Sequence, residues 1–258
     1  MKIKKGEHFK RDLTIYVILR FLVIGIMISQ LIKGNLENVF LCVLTLILFV
    51  IPSVIDKKFD IKLPNVLETI VLLFIFSSEI LGEVQNFYGI FKHWDTILHT
   101  LNGFLCAAIG FSMIDILNRS ERFYTKMAPI FIALVAFCFS MTIGVLWEFF
   151  EFGMDTLTNT DMQKDRIVRT ISSIKLNDEG KNEPNVIKNI KKTVIYTEDN
   201  KEFVINDGYI DIGIRDTMKD LLVNLIGATT FSAIGFLYIK NRKDYKFTEK
   251  FIPVRKRK

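Results

Sequence analysis

The chain has 258 residues, of which 50% are hydrophobic and 12% aromatic, and its formal net charge is +6. Six apolar runs of about 20 residues, each long enough to cross a bilayer, exclude an ordinary soluble domain. The basic excess lies mostly at the two ends of the chain, so it predicts contact with a membrane surface and no nucleic-acid partner.

The apolar runs predict an all-α integral membrane fold, a bundle of six transmembrane helices. The predicted spans are 13–32, 39–55, 66–81, 94–117, 128–152 and 217–239. Lysine and arginine crowd the N-terminal tail, the loops after the second and fourth runs, and the C-terminal tail, whereas the opposite short loops contain Lys33 and Lys92. The positive-inside rule therefore predicts that both termini are cytoplasmic.

One long segment between the fifth and sixth runs is too polar to lie in lipid. The sequence therefore predicts four parts of the chain: helices 1–5 in residues 1–155, an extracytoplasmic insertion in 156–215, helix 6 in 216–240, and a basic cytoplasmic tail in 241–258. Two β-rich stretches, 193–197 and 202–205, flank a polar turn and predict a β-hairpin, with a third strand within 170–176. The alternative is a mostly disordered loop, since 180–189 is strongly polar.

Ionisable side chains recur at helical spacing near the outer ends of the last four spans, where each needs a partner or a function. Residues three or four apart share one face of a helix, and the predicted orientation brings these faces to the same end of the bundle. The candidate site residues are Glu79, Asp95, His99, Glu148, Glu151, Asp216, Asp220 and Asn224.

Acids outnumber fixed cations in this outer region. The carboxylates are Glu79, Glu83, Asp95, Glu148, Glu151, Asp155, Asp211, Asp216 and Asp220, and the fixed cations are Lys92, Arg215 and Lys219. Two explanations remain open: several carboxyl groups are protonated, or a divalent cation is bound. His99 with Glu148, Glu151 and Asp220 offers the nitrogen and oxygen ligands of a zinc site, and an oxygen-rich shell suits calcium, magnesium or manganese equally well.

The order of these motifs resembles a known family. Trp94-Asp95 with His99, then Glu148 with Glu151, then Asp216 and Asp220 follow the pattern of the YjdF-type bacterial integral membrane proteins. The resemblance covers about residues 79 to 235 outside the insertion, and it implies a multi-pass helical membrane protein without implying a reaction. The segment from Asp220 to Ala228 is similar, more loosely, to the terminal span of VanZ-like proteins.

Three functional hypotheses follow. The first is a metal- or acid/base-assisted enzyme that acts on a lipid or cell-envelope precursor, with Asp95, His99, Glu148, Glu151, Asp216 and Asp220 as ligands or proton-transfer groups. The second is a non-catalytic protein that binds a lipid headgroup, a cation or a partner. The third is a transporter, which is disfavoured because the polar residues cluster at one end and leave the cytoplasmic half nearly apolar.

Overall fold

The computed structural model describes residues 5–58, 61–118, 127–177 and 179–255. Its helices are α1 (Lys5–Ile32), α2 (Leu36–Leu48), α3 (Ile51–Lys58), α4 (Asn65–Ile75), a π-helix (Phe76–Val84), α5 (Phe87–Ile90), α6 (Trp94–Asn118), α7 (Pro129–Thr158) and α8 (Ile214–Lys240). Within these residues six helical segments are long and apolar enough to cross a membrane. The predicted six-span fold is thereby confirmed.

Some residues used to predict the orientation lie outside the described parts of the chain. They are Lys2 and Lys4 in the N-terminal tail, Arg119, Arg122 and Lys126 in the loop after α6, and residues 256–258 of the C-terminal tail. The chain divides into two compact units, one containing the residues up to Val145 and those from Asp220 onward, the other Leu146–Lys219. The predicted domain boundaries at residues 155, 215 and 240 stay predictions.

The second predicted span is not one continuous helix. It breaks at Phe49 and Val50, between α2 and α3. Pro52 explains the break, because its ring would clash with the carbonyl of Leu48 and it has no N–H to donate. In the second position of α3 the same proline is tolerated, since the first N–H groups of a helix have no partner within the helix.

The third span changes its hydrogen-bonding pattern half-way. Pro64 precedes α4, which ends at Ile75, and the chain continues as a π-helix through Val84. The segment that carries Glu79 is therefore a π-helix and not a continuation of α4. Helices with this wider pattern are rare and often occur at functional sites. The first three spans share an apolar core of Leu19, Val23, Cys42, Phe49, Leu72 and Ile80.

Helices α6 and α8 approach each other closely at two glycines. A β-carbon at Gly103 would overlap the backbone oxygen of Asn224, and one at Gly227 would overlap the backbone oxygen of Thr100. Small residues at such positions allow helix backbones to touch within a membrane. On α7, Ser140 donates to the backbone oxygen of Gly103 at 2.7 Å. Contact at these glycines therefore holds α6 and α8 in register.

The C-terminal tail folds back against the helices of the first unit. A 3₁₀-helix at Lys246–Lys250 follows α8, and Ile252 is buried in the same apolar cluster as Phe111 and Phe231. The last strand, β8 (Val254–Arg255), pairs antiparallel with β1 (Ile61–Lys62) in the segment before α4. The segment before α4 and the tail therefore lie at the same end of this unit.

A buried ion pair lies at this end as well. The Asp115 carboxylate on α6 accepts from the Arg242 guanidinium at 3.1 Å, and Asp115 is only 3% exposed. Although Asp115 lies near the end of its span, it is buried in the fold and not solvated. The residue that buries and neutralises it comes 127 positions later in the chain.

The second unit contains the polar insertion, which is built from short antiparallel strand pairs. The strands are β2 (Ile167–Val168), β3 (Ile171–Ser173), β4 (Asn185–Ile187), β5 (Lys192–Tyr196), β6 (Glu202–Asn206) and β7 (Tyr209–Ile210). The pairs are β2 with β7, β3 with β4, and β5 with β6. The predicted hairpin is confirmed as β5–β6. The third strand is shorter than predicted, and its partner β4 lies in the polar stretch for which disorder was the alternative.

Candidate functional site: an aspartate–histidine–aspartate group on α6 and α8

Three of the predicted site residues converge within the first unit. Asp95 lies in the first turn of α6, where the helix dipole favours a negative charge, and His99 follows one turn later. The Nε2 atom of His99 is 3.2 Å from Oδ1 of Asp95. Asp220 lies on α8 and is 2% exposed. One ligand atom from each of these three residues lies within 4.8 Å of the other two.

The spacing of these atoms suits a small cation. Zinc binds imidazole nitrogen and carboxylate oxygen at about 2.0–2.2 Å, so three atoms this close need only small side-chain movements to share one ion. The side chains of His99 and Asp95 retain 11% and 24% exposure, respectively. The group is therefore sheltered and still reachable by a small molecule.

Asn224 links the three helices that surround the group. It lies one turn after Asp220 and is 1% exposed. Its amide oxygen accepts from Asn102 on α6 at 3.3 Å, and its amide nitrogen is 3.5 Å from the backbone oxygen of Ser140 on α7. A β-carbon at Gly144 would come within 2.6 Å of the same amide nitrogen. Asn224 thus fills a space that glycine leaves open, and it fixes the rotation of α8 that directs Asp220.

A second polar group lies on the π-helix and the turn after it. The hydroxyl of Ser78 is 3.3 Å from the hydroxyl of Tyr88 and 3.5 Å from Oε1 of Glu79. Burial of the Tyr88 hydroxyl raises its pKa, and the charges of Glu83, Asp95 and Glu79 raise it further. Tyr88 is therefore electrostatically coupled to Asp95 of the first group.

Sequence reasoning missed Tyr88. It stands beside Phe87 in an aromatic stretch typical of a membrane interface, so its hydroxyl gave no separate signal. Close by, the indole of Trp94 donates to the backbone oxygen of Ser77 at 3.2 Å. This bond ties the start of α6 to the π-helix.

The predicted residues Asp216, Glu148 and Glu151 belong to the second unit. Asp216 accepts from the Arg166 side chain at 2.9 Å and from the backbone N–H of Lys164 at 3.1 Å. Glu151 accepts from the indole of Trp147 at 2.8 Å. Glu148 is 5% exposed. The partners of Asp216 serve to hold the insertion, and the predicted roles of Asp216, Glu148 and Glu151 as ligands or proton-transfer groups stay predictions.

Two further acids of the predicted cluster hold the insertion together. The Asp155 carboxylate accepts from the backbone N–H groups of Met162 at 2.6 Å and Gln163 at 2.8 Å. Asp211 accepts from the backbone N–H of Arg166 at 2.9 Å. Backbone amides therefore stabilise part of the acid excess without any cation.

One acid of the insertion lies in an unfavourable environment. Partial burial of the Asp165 carboxyl raises its pKa, and the charges of Asp161, Asp211 and Asp155 raise it further. The folded insertion therefore disfavours the ionised form of Asp165.

Comparison with known proteins identifies the family. The family described as "Predicted membrane protein (DUF2238)" matches residues 14–174, more than half of the chain. The chain therefore belongs to this family, and the resemblance to YjdF-type proteins is confirmed. The match covers the first five spans and ends before Asp220. No solved structure matches the chain.

A curated relative comes from Thermotoga maritima and is described as "Uncharacterized protein". It is 29% identical to this chain over 106 residues, which are 41% of this chain and 53% of the relative. The chain thus spans about half the length of the curated relative it matches.

Proposed function

We propose that this member of the DUF2238 family is a metal-assisted membrane enzyme that acts on a lipid or cell-envelope precursor. Asp95, His99 and Asp220 are its proposed metal ligands. The observation that carries the proposal is the convergence of one imidazole and two carboxylates, from two helices, within 4.8 Å of one another. Asp220 is buried, so its ionised form needs a compensating positive charge or a hydrogen-bonding partner.

Three protein ligands are the usual number at a catalytic zinc site. Asp95, His99 and Asp220 would hold such an ion, and zinc bound there would supply Lewis-acid chemistry and a water whose pKa is lowered to about 7. Asp95 and His99 lie on α6 and Asp220 lies on α8. The close contact between these two helices therefore holds the three ligands together. Asn224 fixes the rotation of α8, so it acts as a positioning residue.

The proposed site lies at the outer side of a cell membrane, and both termini of the chain are cytoplasmic in this orientation. The Lys and Arg bias of the short loops supports this orientation. The pairing of β1 with β8 and the ion pair between Asp115 and Arg242 support it too. They bring the segment before α4, the end of α6 and the tail to one end of the first unit, as the orientation requires.

The contact between Asp95 and His99 favours a second candidate, acid–base catalysis without metal. A carboxylate 3.2 Å from an imidazole can orient it and stabilise its protonated form. The two candidates use the same residues and differ in whether the purified protein carries metal.

Elemental analysis of the purified full-length protein tests the proposal. We expect roughly one divalent ion per chain in the native protein and a large loss in His99→Ala and Asp220→Asn, because three ligands act as a set. His93→Ala is the matched control, because His93 is exposed and lies six residues before His99. A metal-free native protein, or equal metal content in all variants, would refute the metal site.

A further inference from the structure

An apolar groove runs between the third and fourth spans. Its volume is about 210 Å³. The walls are formed by Ile70, Leu73 and Phe74 of α4 and by Ile97, Leu98 and Leu101 of α6. Since helices rise 1.5 Å per residue, the groove extends about 10 Å along each helix. Leu73 and Ile97 are 44% and 58% exposed, so the groove opens at the protein surface.

The position of the groove decides what can fill it. Both walls belong to segments that are long and apolar enough to span a membrane, Asn65–Val84 and Trp94–Asn118, so the opening faces the hydrocarbon of the bilayer. Water would find too few hydrogen-bonding partners, since the lining is almost entirely apolar. A hydrocarbon chain matches both the lining and the surroundings.

One end of the groove meets the polar residues of the candidate site. Ser77 and Trp94 complete its lining at this end. The next residues along the chain are Ser78, whose hydroxyl is 3.3 Å from Tyr88, and Asp95, which contacts His99. An apolar channel that ends beside ionisable groups has the polarity of an amphiphile, with a chain at one end and a head group at the other.

We propose that the groove between α4 and α6 binds an acyl chain of a membrane phospholipid, and that the head group of this lipid lies at the polar end beside Asp95 and His99. The inference rests on the proposed function and gives it a substrate class, a chain-bearing lipid that enters from the bilayer. The Trp94 indole, hydrogen-bonded to the backbone oxygen of Ser77, forms the rim between the groove, which holds the chain, and the site, which holds the head group.

Fluorescence quenching can measure occupancy of the groove. The chain has 2 tryptophans, so Trp147→Phe leaves Trp94 as the single reporter in the groove lining. The full-length protein is purified in dodecyl maltoside micelles, which contain no phospholipid, and receives increasing fractions of a phosphatidylcholine that is dibrominated near the head-group end of its chain. A chain bound in the groove gives a component of quenching that saturates at a low brominated fraction, whereas lipid that only collides with Trp94 in the micelle gives quenching that follows the bulk fraction.

Two variants of equal chemistry make the test specific. Leu73→Phe narrows the groove, whereas Leu222→Phe adds the same bulk at an exposed position on α8, outside the lining. We expect the saturable component to need an at least about tenfold higher brominated fraction in Leu73→Phe, equivalent to about 1.4 kcal/mol, and to be unchanged in Leu222→Phe. The absence of a saturable component, or equal effects of both variants, would overturn the groove.

Metal analysis of the same samples separates this inference from the proposed function. Saturable quenching in a metal-free protein would support the chain-binding groove and refute the metal enzyme. Bound metal without saturable quenching would refute the groove and support the metal site. Asp220→Asn should lose metal and keep the saturable quenching, because Asp220 does not line the groove.

Discussion

Replacing Gly227 by alanine should separate α6 from α8 and disturb the candidate site. Its β-carbon would overlap the backbone oxygen of Thr100 and lie 2.8 Å from the backbone nitrogen of Phe104. Both atoms belong to the helix backbone, so no side chain can rotate away. The two helices must therefore move apart by roughly 1 Å to restore an ordinary contact.

The size of the effect can be bracketed with a second glycine. Overpacking a close contact costs about 1–3 kcal/mol, and alanine regains up to about 1 kcal/mol of helix propensity over glycine. A clash with backbone atoms belongs to the upper half of that cost, so Gly227→Ala should destabilise the protein by a net of about 1–2 kcal/mol. Among the described residues, none beyond the neighbouring turns of α1 comes within 4 Å of a β-carbon placed at Gly25, so Gly25→Ala should be neutral or stabilising.

Unfolding of the purified protein in detergent measures both variants, by heat and by titration with a denaturing detergent. Metal content should follow the same order, because α8 carries Asp220 away from His99 when the helices separate. An unchanged melting temperature in Gly227→Ala would refute the packing argument. Equal losses in both glycine variants would show that the close contact is not the cause.

Three further predictions concern two charged groups and the membrane orientation. Arg242→Gln should destabilise the protein in thermal melting by about 2 kcal/mol, because it leaves the buried Asp115 without its ion-pair partner, and adding Asp115→Asn should recover part of the loss. Asp165→Asn should raise the melting temperature at neutral pH. The pKa of Asp165 is raised in the fold by partial burial and neighbouring aspartates, so the native stability falls as pH rises from about 3.9 through the folded value, and the gain should vanish below that window. Single cysteines at Asn182 and Asn241, with the native cysteines removed, should react with an impermeant thiol reagent in intact cells only at position 182; labelling only at 241 would contradict the orientation.

The spans and the hairpin could be predicted because their signals are local. A run of about 20 apolar residues has few alternatives to a membrane helix. The hairpin follows from β-branched and aromatic residues on both sides of a short polar turn. Asp95 and His99 likewise share a helix face by their spacing alone. The convergence of Asp220 with Asp95 and His99 was predictable only to the extent that the sequence assigned all three residues to the same end of the bundle.

The rest depended on partners that are distant in sequence or on the backbone itself. Nothing in the residues 76–84 marks the shift to a π-helix, which changes only which carbonyl each N–H reaches. The partner of Asp115 could not be predicted, because Arg242 lies beyond two further spans. Asp155 was counted with the repelling acids because its partners are backbone N–H groups, which occur in every sequence and give no signal of this contact.

The sign of one substitution separates the metal site from the metal-free alternative. If a cation joins Asp95, His99 and Asp220, divalent ions should raise the free energy of unfolding of the native protein by about 2.7 kcal/mol at a concentration one hundred times the dissociation constant. The melting temperature should rise accordingly. Asp220→Asn should then destabilise the protein and lose most of this rise, because the remaining ligands are left unbalanced. If no cation binds, the same change relieves repulsion with Asp95 and should be neutral or stabilising at neutral pH. Glu198→Gln, at an exposed turn of the insertion, controls for the loss of one charge. A native protein that ignores both divalent ions and chelator, and that is stabilised by Asp220→Asn, would contradict the metal site and favour the Asp95–His99 pair as an acid–base group.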